Sequence, residues 1–295
     1  MRLSDAPRAL GLEILRDGSF ENLGFLVDAQ PGKLCFLEKA SFRNQALRSR
    51  GLSCLITTRE LASDLDISLG IAVCENPRRM FFELHNYLAR ERVFYGLDFA
   101  TEIDASAEIH PRASVAELNV RIGANCRVGP NATIGEGTTL AAGVEIGPGA
   151  VIGAEGFQCY RDGTEVVDML HAGKVRVEQG ARIYANAVIA RAIFREESVI
   201  GENSRIGNLA FLSHNVRIGK RCFVAHHAAI NGNVEIEDDA WIGPGATIAN
   251  NLRIGREGKV SLGSTVIRDV AAGERVTGAI AIKHHRMLEH WVSLR

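Results

Sequence analysis

Apolar residues recur at every sixth position over most of the chain after residue 100. One series runs from Ile122 to Ile152, and a second runs from Ile200 to Val266 without interruption. A period of six matches neither the helical period of 3.6 residues nor the alternation of a single strand. It is typical of a parallel β-helix, in which each hexad supplies a short strand and a turn, and three hexads complete one coil. The residues of the two series are Ile122, Val128, Ile134, Leu140, Ile146 and Ile152, then Ile200, Ile206, Leu212, Ile218, Val224, Ile230, Ile236, Ile242, Ile248, Ile254, Val260 and Val266.

One histidine and one glycine are separated by a full coil of this pattern. His214 precedes Gly232 by eighteen residues, which is three hexads. The two residues are therefore predicted to occupy the same corner of adjacent coils, roughly 5 Å apart by the spacing of neighbouring strands. An imidazole and a main-chain N–H at one corner form a candidate catalytic pair.

Two segments interrupt the hexads. Residues 153–174, "GAEGFQCYRDGTEVVDMLHAGK", separate Ile152 from the hexads at Val177, Ile183 and Ile189, and residues 190–198, "ARAIFREES", break the phase again. Insertions in a solenoid form loops, often on the binding face. We therefore expect the first insertion to be an excursion from the coils near a binding site.

The two ends of the chain lack the hexad. Residues 1–100 contain short apolar runs and a segment in which Asn76 and Pro77 have the character of a helix start. We predict a small α/β domain at 1–100, a β-helix at 101–271 that begins with Ile103 and Ile109, and a helical cap at 272–295 over the last coil.

Composition excludes several classes of function. The formal net charge of the 295-residue chain is −1, so there is no broad basic field for nucleic acid. The six cysteines form no CxxC pair, and we expect no metal site. No signal peptide and no apolar run of membrane-spanning length are visible, so a cytoplasmic location is expected.

The stretch "LSHNVRIGKRCFVAHHAAING", the excursion "GAEGFQCY" and the N-terminal segment resemble the UDP-3-O-acyl-glucosamine N-acyltransferase family of lipid A biosynthesis, within the hexapeptide-repeat acyltransferases. The resemblance implies a left-handed β-helix and a homotrimer with sites between subunits. It implies acyl transfer from acyl carrier protein or coenzyme A to the amine of a nucleotide-linked sugar, without a permanently bound cofactor. His214 would be the general base, and the Gly232 N–H would stabilise the oxyanion.

Substrate-binding residues follow from the same resemblance. The family's uracil pocket has the form Phe-x-x-Asn-x-x-Tyr, and the matching positions here are Phe36, Lys39 and Phe42. A lysine lacks the donor–acceptor edge of an asparagine, so the nucleotide is left open. The other candidates are Phe157, Asn215, His171, His226 and His284. His171 would lie near the sugar or its phosphate, His226 would line the groove between neighbouring subunits that holds the thioester, and His284 would lie near a phosphate.

Other functions remain open at this point. The coil before His214 reads "VIARAIF", where the family has Asp-Arg-Gly. An acetyl-CoA-dependent N-acetyltransferase of a nucleotide-linked amino-deoxysugar would share the prism and the histidine. A γ-type carbonic anhydrase or a non-catalytic β-helix would share the prism alone, although the prism lacks the two histidines five residues apart that a γ-type zinc site needs.

Overall fold

A computed structural model describes residues 1–26, 30–49, 51–63, 65, 68–91, 93–278 and 284–293, except for the side chains at 287, 288, 290 and 291. The first part of the chain forms a five-stranded sheet in the order β1-β5-β4-β3-β2, parallel except for β1. Its strands are β1 (Glu13–Arg16), β2 (Asn22–Leu23), β3 (Lys33–Leu37), β4 (Leu52–Thr57) and β5 (Gly70–Val73). The helices are α1 (Arg43–Arg48), α2 (Arg59–Ala62) and α3 (Pro77–Glu91), with 3₁₀ turns at Leu3–Asp5, Arg8–Leu10, Ala40–Phe42 and Val93–Tyr95. The predicted start of α3 is confirmed, since Asn76 Oδ1 accepts the Arg79 N–H at 3.1 Å.

The hexads form a prism of three parallel sheets that contain nine, eight and eight strands. Face 1 contains β7, β10, β13, β18, β21, β24, β27, β30 and β32; face 2 contains β8, β11, β14, β19, β22, β25, β28 and β31; face 3 contains β6, β9, β12, β17, β20, β23, β26 and β29. These strands, with the hairpin strands β15 and β16, are β6 (Glu102–Ile103), β7 (Glu108–Ile109), β8 (Ser114–Val115), β9 (Arg121–Ile122), β10 (Arg127–Val128), β11 (Thr133–Ile134), β12 (Thr138–Leu140), β13 (Glu145–Ile146), β14 (Val151–Ala154), β15 (Cys159–Asp162), β16 (Glu165–Asp168), β17 (Lys174–Val177), β18 (Arg182–Ile183), β19 (Val188–Ala190), β20 (Glu197–Ile200), β21 (Arg205–Ile206), β22 (Phe211–Leu212), β23 (Arg217–Ile218), β24 (Phe223–Val224), β25 (Ala229–Ile230), β26 (Glu235–Ile236), β27 (Trp241–Ile242), β28 (Thr247–Ile248), β29 (Arg253–Ile254), β30 (Lys259–Val260), β31 (Thr265–Val266) and β32 (Arg275–Val276).

The apolar residue of each hexad fills the interior of the prism. Leu212 pairs in register with Ile230, and Ile230 pairs with Ile248, all three with no exposed surface. The period predicted a parallel β-helix, and the resemblance implied a left-handed one with an N-terminal α/β part and a C-terminal helix; this fold class is confirmed. The exact division into domains at residues 100 and 271 stays a prediction.

Every coil turns at residues with a left-handed backbone. Positive φ recurs at six-residue intervals, mostly at asparagine or glycine, as at Asn203 (58°) and Asn215 (59°). These residue types tolerate this conformation best. The glycines that follow the buried hexad residues have another cause: a Cβ on Gly201 would lie 2.2 Å from the Gly219 oxygen of the next coil.

Leu209 interrupts this pattern, and we expect Leu209→Asn to stabilise the protein. Its φ is 60°, a conformation that costs a leucine about 1–2 kcal/mol, and its surface is already 49% exposed. Asparagine tolerates the angle better, so the melting temperature should rise by a few degrees, equivalent to about 0.5–1 kcal/mol. Leu262→Asn, at an exposed site without positive φ, is the matched control. Equal shifts for both variants would contradict the explanation.

The excursion forms a hairpin that is fastened to α3. Strands β15 and β16 pair antiparallel. Asn86 Nδ2 donates to the Asp168 oxygen at 2.8 Å, and the Leu170 N–H donates to Asn86 Oδ1 at 2.9 Å. His85 Nε2 lies 2.6 Å from the Leu170 oxygen. The N-terminal part of the chain therefore fixes where the excursion returns to the prism.

The last described element is helix α4 (His284–Ser293). Residues 279–283 and 294–295 of the predicted cap lie outside the described residues. None of the described helices combines the length and the apolar character that a membrane crossing requires.

Candidate active site

His214 and Gly232 meet at one corner of the prism, as their spacing predicts. Both follow strands of face 2, and the Asn233 N–H donates to the His214 oxygen at 3.0 Å. A Cβ built on Gly232 would lie 2.4 Å from His214 Cε1 and 2.5 Å from Nε2. The imidazole thus rests on the glycine Cα, and only a glycine leaves room for it.

The environment of His214 keeps its imidazole neutral. The residue is 9% exposed, and its Nδ1 is buried without a hydrogen-bond partner in the described structure. Burial, and secondly the neighbouring His171, lower the pKa of His214 to about 4. Nε2 is left as the nitrogen that can accept a proton from a substrate.

We expect the His214 imidazole not to titrate between pH 8 and pH 5. A histidine whose pKa is lowered to about 4 is neutral above that value and gains its proton only as the pH falls through about 4. The measurement is an NMR titration of the histidine Cε1–H signals, with His214 assigned by its loss in His214→Ala. The exposed His110 supplies a second assigned signal, identified by its loss in His110→Ala. A His214 midpoint near 6.5 would contradict the effect of burial.

His171, from the end of the excursion, packs beside His214. The two ring centroids are 5.7 Å apart, and a Cβ on Gly156 would lie 2.4 Å from His171 Nε2. His171 is 1% exposed. His171 is therefore not a solvated loop histidine. In this arrangement its ring is also not accessible to a sugar or a phosphate, contrary to the role that the resemblance implied.

A carboxylate that sequence analysis did not single out lies behind His171. Glu155 Oε2 accepts the His171 main-chain N–H at 2.9 Å and lies 3.3 Å from His171 Nδ1, while Arg191 pairs with Oε1. Burial raises the pKa of Glu155, but its contacts with His171 and Arg191 outweigh this effect and hold the pKa at about 2. Arg191 is the central residue of "ARA" in "VIARAIF", where the family has Asp-Arg-Gly, and it supplies the cation that pairs with Glu155.

The Gly232 N–H is engaged, contrary to the role predicted for it. It donates to Asn250 Oδ1 at 3.0 Å. Asn250 follows Gly232 by eighteen residues and therefore occupies the next coil at the same corner. The repeat is sufficient to predict the position of Asn250 on the next coil. It does not predict that the Asn250 side chain contacts the Gly232 N–H.

Four further candidates lie apart from His214 Nε2. The Asn215 amide accepts the Ile193 N–H at 3.0 Å and donates to Glu196, so it holds the irregular segment 190–198. His226 is exposed at another corner, between faces 1 and 2. His284 is exposed at the start of α4, without a hydrogen bond or ion pair to the described residues. Phe157 is 87% exposed on the excursion.

The N-terminal candidates are brought together only in part. Phe36 and Phe42 line a cavity of about 200 Å³ with Gln45 and Arg78, whereas Lys39 is exposed and does not line it. The Arg78 guanidinium lies 5.8 Å from the Phe36 ring centroid. Two aromatic rings, an amide and a guanidinium therefore face one small cavity.

A larger cavity, of about 650 Å³, lies beside the His214 corner. Asn215, Asn233 and Asn251, which line it, each follow one residue after His214, Gly232 and Asn250. Its wall carries side chains of both charges, the cations Lys174, Arg195 and Arg217 and the carboxylates Glu196, Glu197 and Glu235. The cavity therefore offers donors and acceptors to a polar group next to the histidine corner.

Sequence comparison links this architecture to known transferases. The family model described as bacterial transferase hexapeptide (six repeats) matches residues 119–154 and 197–232. UDP-3-O-acylglucosamine N-acyltransferase from Caulobacter sp. (strain K31) is 38% identical over 141 residues, which is 48% of this chain and 40% of that protein. The protein of the same name from Methylorubrum extorquens (strain PA1) is 30% identical over 130 residues, 44% of this chain and 37% of that protein. The chain thus aligns with well under half the length of these relatives.

Solved structures of similar fold are more distant. The UDP-N-acetylglucosamine acyltransferase of Bacteroides fragilis 9343 is 24% identical, with a TM-score of 0.44 over 57% of this chain and 68% of that one. That of Francisella novicida is 19% identical, with a TM-score of 0.43 over 64% and 73%. Similarity at this level carries no argument about residues. The sequence relatives, in contrast, confirm the resemblance: the chain carries the hexapeptide repeats of bacterial transferases and, over the part that aligns, is similar to UDP-3-O-acylglucosamine N-acyltransferases.

Proposed function

We propose that this protein transfers an acyl group from a thioester to the amine of a nucleotide-linked amino sugar. The observation that carries the proposal is the neutral His214 ring, which rests on Gly232 at a corner beside a polar cavity. The names of the aligned relatives support the same class of reaction. Lipid A synthesis is the corresponding pathway.

In this reaction His214 acts as the general base. The sugar amine attacks the thioester carbonyl, a C–N bond forms, and Nε2 accepts the proton that the amine loses. The tetrahedral intermediate then expels the thiolate as the C–S bond breaks, and the imidazolium returns the proton to sulfur. A low pKa keeps the base unprotonated at pH 7 and lets its conjugate acid give up the proton readily, although it also makes the imidazole a weaker base than one with a pKa near 7. The protein's own groups suffice for these steps, and the thioester enters as co-substrate.

The nucleotide is assigned to the cavity between Phe36 and Phe42. Aromatic rings stack on a nucleobase, and Gln45 offers both a donor and an acceptor, which Lys39 cannot. Lys174 and Arg217 could each contact a phosphate of a nucleotide sugar or of a phosphopantetheine arm, in a cavity that glutamates also line. These features support a nucleotide-linked sugar as the substrate class. The identities of the nucleobase and of the sugar are determined by the assay below.

A homotrimer in the cytoplasm completes the proposal, with acyl carrier protein or coenzyme A as the donor of the acyl group. Phe223 and Trp241, which are 47% and 46% exposed, lie side by side on face 1 with their ring centroids 5.6 Å apart. Exposed aromatic pairs of this kind are typical of a contact surface. A thioester arm would lie along the groove between neighbouring prisms.

The test is an acyl-transfer assay with the full chain. Acetyl-CoA and a 3-hydroxyacyl-acyl carrier protein are each combined with a panel of UDP-, dTDP- and GDP-linked amino sugars, and thiol release and product mass are followed. Sugar-dependent thiol release with one donor supports the proposal and identifies that donor. Its absence with every pair would refute the proposal.

The same samples address the other functions. Among the described residues, no three His, Cys, Asp or Glu side chains of one chain lie close enough to hold a metal ion. A γ-type carbonic anhydrase would return stoichiometric zinc and hydrate CO₂. A non-catalytic module would bind a nucleotide sugar without consuming any thioester.

A further inference from the structure

We propose that the side-chain amide of Asn250 is the oxyanion donor of this site, oriented by the Gly232 N–H. This inference rests on the proposed acyl transfer. It names a residue that directly contacts the reacting carbonyl and replaces the direct role of the Gly232 N–H.

The repeat places Asn250 in line with the catalytic corner. His214, Gly232 and Asn250 follow β22, β25 and β28, which are consecutive strands of face 2. Each is separated from the next by one coil of eighteen residues, and strands in register lie about 4.8 Å apart. The three residues therefore form a column along one edge of the prism.

The hydrogen bond from Gly232 decides which way the Asn250 amide points. A main-chain N–H can only donate, so the atom that it contacts at 3.0 Å must be the amide oxygen. The orientation that is usually ambiguous for an asparagine is thereby fixed. Nδ2, with its two protons, is left at the other end of the amide.

The Nδ2 group is available, unlike those of Asn231 and Asn233. Asn231 Nδ2 donates to the Ile248 oxygen at 2.8 Å, and Asn233 Nδ2 donates to Asn251 Oδ1 at 3.0 Å. Asn250 is exposed, and its Nδ2 makes no hydrogen bond within the part of the chain that the structure describes. Asn251 Nδ2 also makes no hydrogen bond to the described residues, but only the Asn250 amide is bonded directly to the Gly232 N–H.

The chemistry requires a donor at this point. As the amine attacks, the carbonyl oxygen of the thioester gains the electron pair of the C=O bond, and a positioned N–H stabilises that charge. The hydrogen bond from Gly232 to Oδ1 also draws electrons from the amide and strengthens its N–H groups as donors. When the C–S bond breaks, the carbonyl re-forms and the donor is released unchanged.

Asn250→Asp is the decisive variant. An aspartate retains an oxygen for the Gly232 N–H but has no proton to donate, and it adds a negative charge beside the oxyanion. We expect kcat to fall by about 10²-fold, the lower end of the loss seen when one such donor is removed, with KM little changed. Asn203→Asp, at an exposed corner between faces 3 and 1, controls for the change of charge and should keep the wild-type rate.

Asn250→Ala separates this proposal from the alternative in which Asn250 merely covers the Gly232 N–H. Alanine would uncover that N–H, so a direct role for Gly232 predicts a rate at or above wild type, which would overturn the proposal. A loss of tenfold or more supports it. Wild-type protein that transfers no acyl group in any donor–sugar pair refutes the proposed function and this inference together. An active wild type with an equally active Asn250→Asp refutes the Asn250 assignment alone.

A spectroscopic readout does not depend on turnover. In protein labelled with ¹⁵N-asparagine, the Asn250 side-chain signal is identified by its loss in Asn250→Asp. Addition of the thioester that the wild type accepts should shift this signal and leave that of Asn203 in place. A thioester that shifts other signals but not that of Asn250 would overturn the inference.

Discussion

Replacing His214 by alanine should lower the rate of the proposed acyl transfer by about 10²–10⁴-fold, the range for loss of a general base. The ring is neutral and its Nδ1 is buried, which leaves Nε2 as the nitrogen proposed to accept the amine proton. The measurement is kcat with saturating thioester and sugar. The fold should survive, because the substitution removes a buried Nδ1 that has no partner.

A matched control for this variant is His110→Ala, on an early coil where the side chain is exposed. It should leave both the rate and the melting temperature unchanged. An active His214→Ala would show that the amine loses its proton to water or to another group. The architecture would stand, but the assignment of the base would not.

Gly232→Ala should lower the rate to a similar extent while leaving the prism intact. The backbone of Gly232 does not have positive φ, so alanine introduces no strain there. Its Cβ would, however, lie 2.4 Å from Cε1 and 2.5 Å from Nε2 of His214, so the imidazole must move. A displacement of about 1 Å at a reacting group can cost about 10²-fold, and loss of the base costs up to about 10⁴-fold.

A double-mutant cycle tests whether this loss acts through the ring. In the His214→Ala background the added methyl has no imidazole to displace, so Gly232→Ala should cost little more. Full additivity of the two losses would instead assign to Gly232 a role of its own. Circular dichroism and the melting temperature verify that each variant is folded.

The fold was predictable because the hexad is a local signal that each coil repeats. Ile200 to Val266 keep one phase, and the structure buries these residues in the prism as the period requires. The His214–Gly232 contact was predictable for the same reason, since one coil is a fixed number of residues. Asn250 stands one coil further on, but the pattern does not reveal that its amide takes the N–H of Gly232.

The remainder of the site depends on packing that no period encodes. His171 reaches His214 because the excursion is fastened to α3 through Asn86, a contact between segments far apart in sequence. Glu155 becomes significant only through that placement. Likewise, the pKa of His214 is set by burial, which follows from the surrounding coils rather than from neighbours in the chain.

The alignment of His214, Gly232 and Asn250 in one column depends on the number of residues between them. Since each member belongs to a different coil, a duplicated or deleted coil elsewhere in the prism leaves the trio facing one another. A single inserted residue between them would rotate every later corner out of alignment. The length of the prism can therefore change by whole coils of eighteen residues. Between the three residues of the column, however, the number of residues must stay the same.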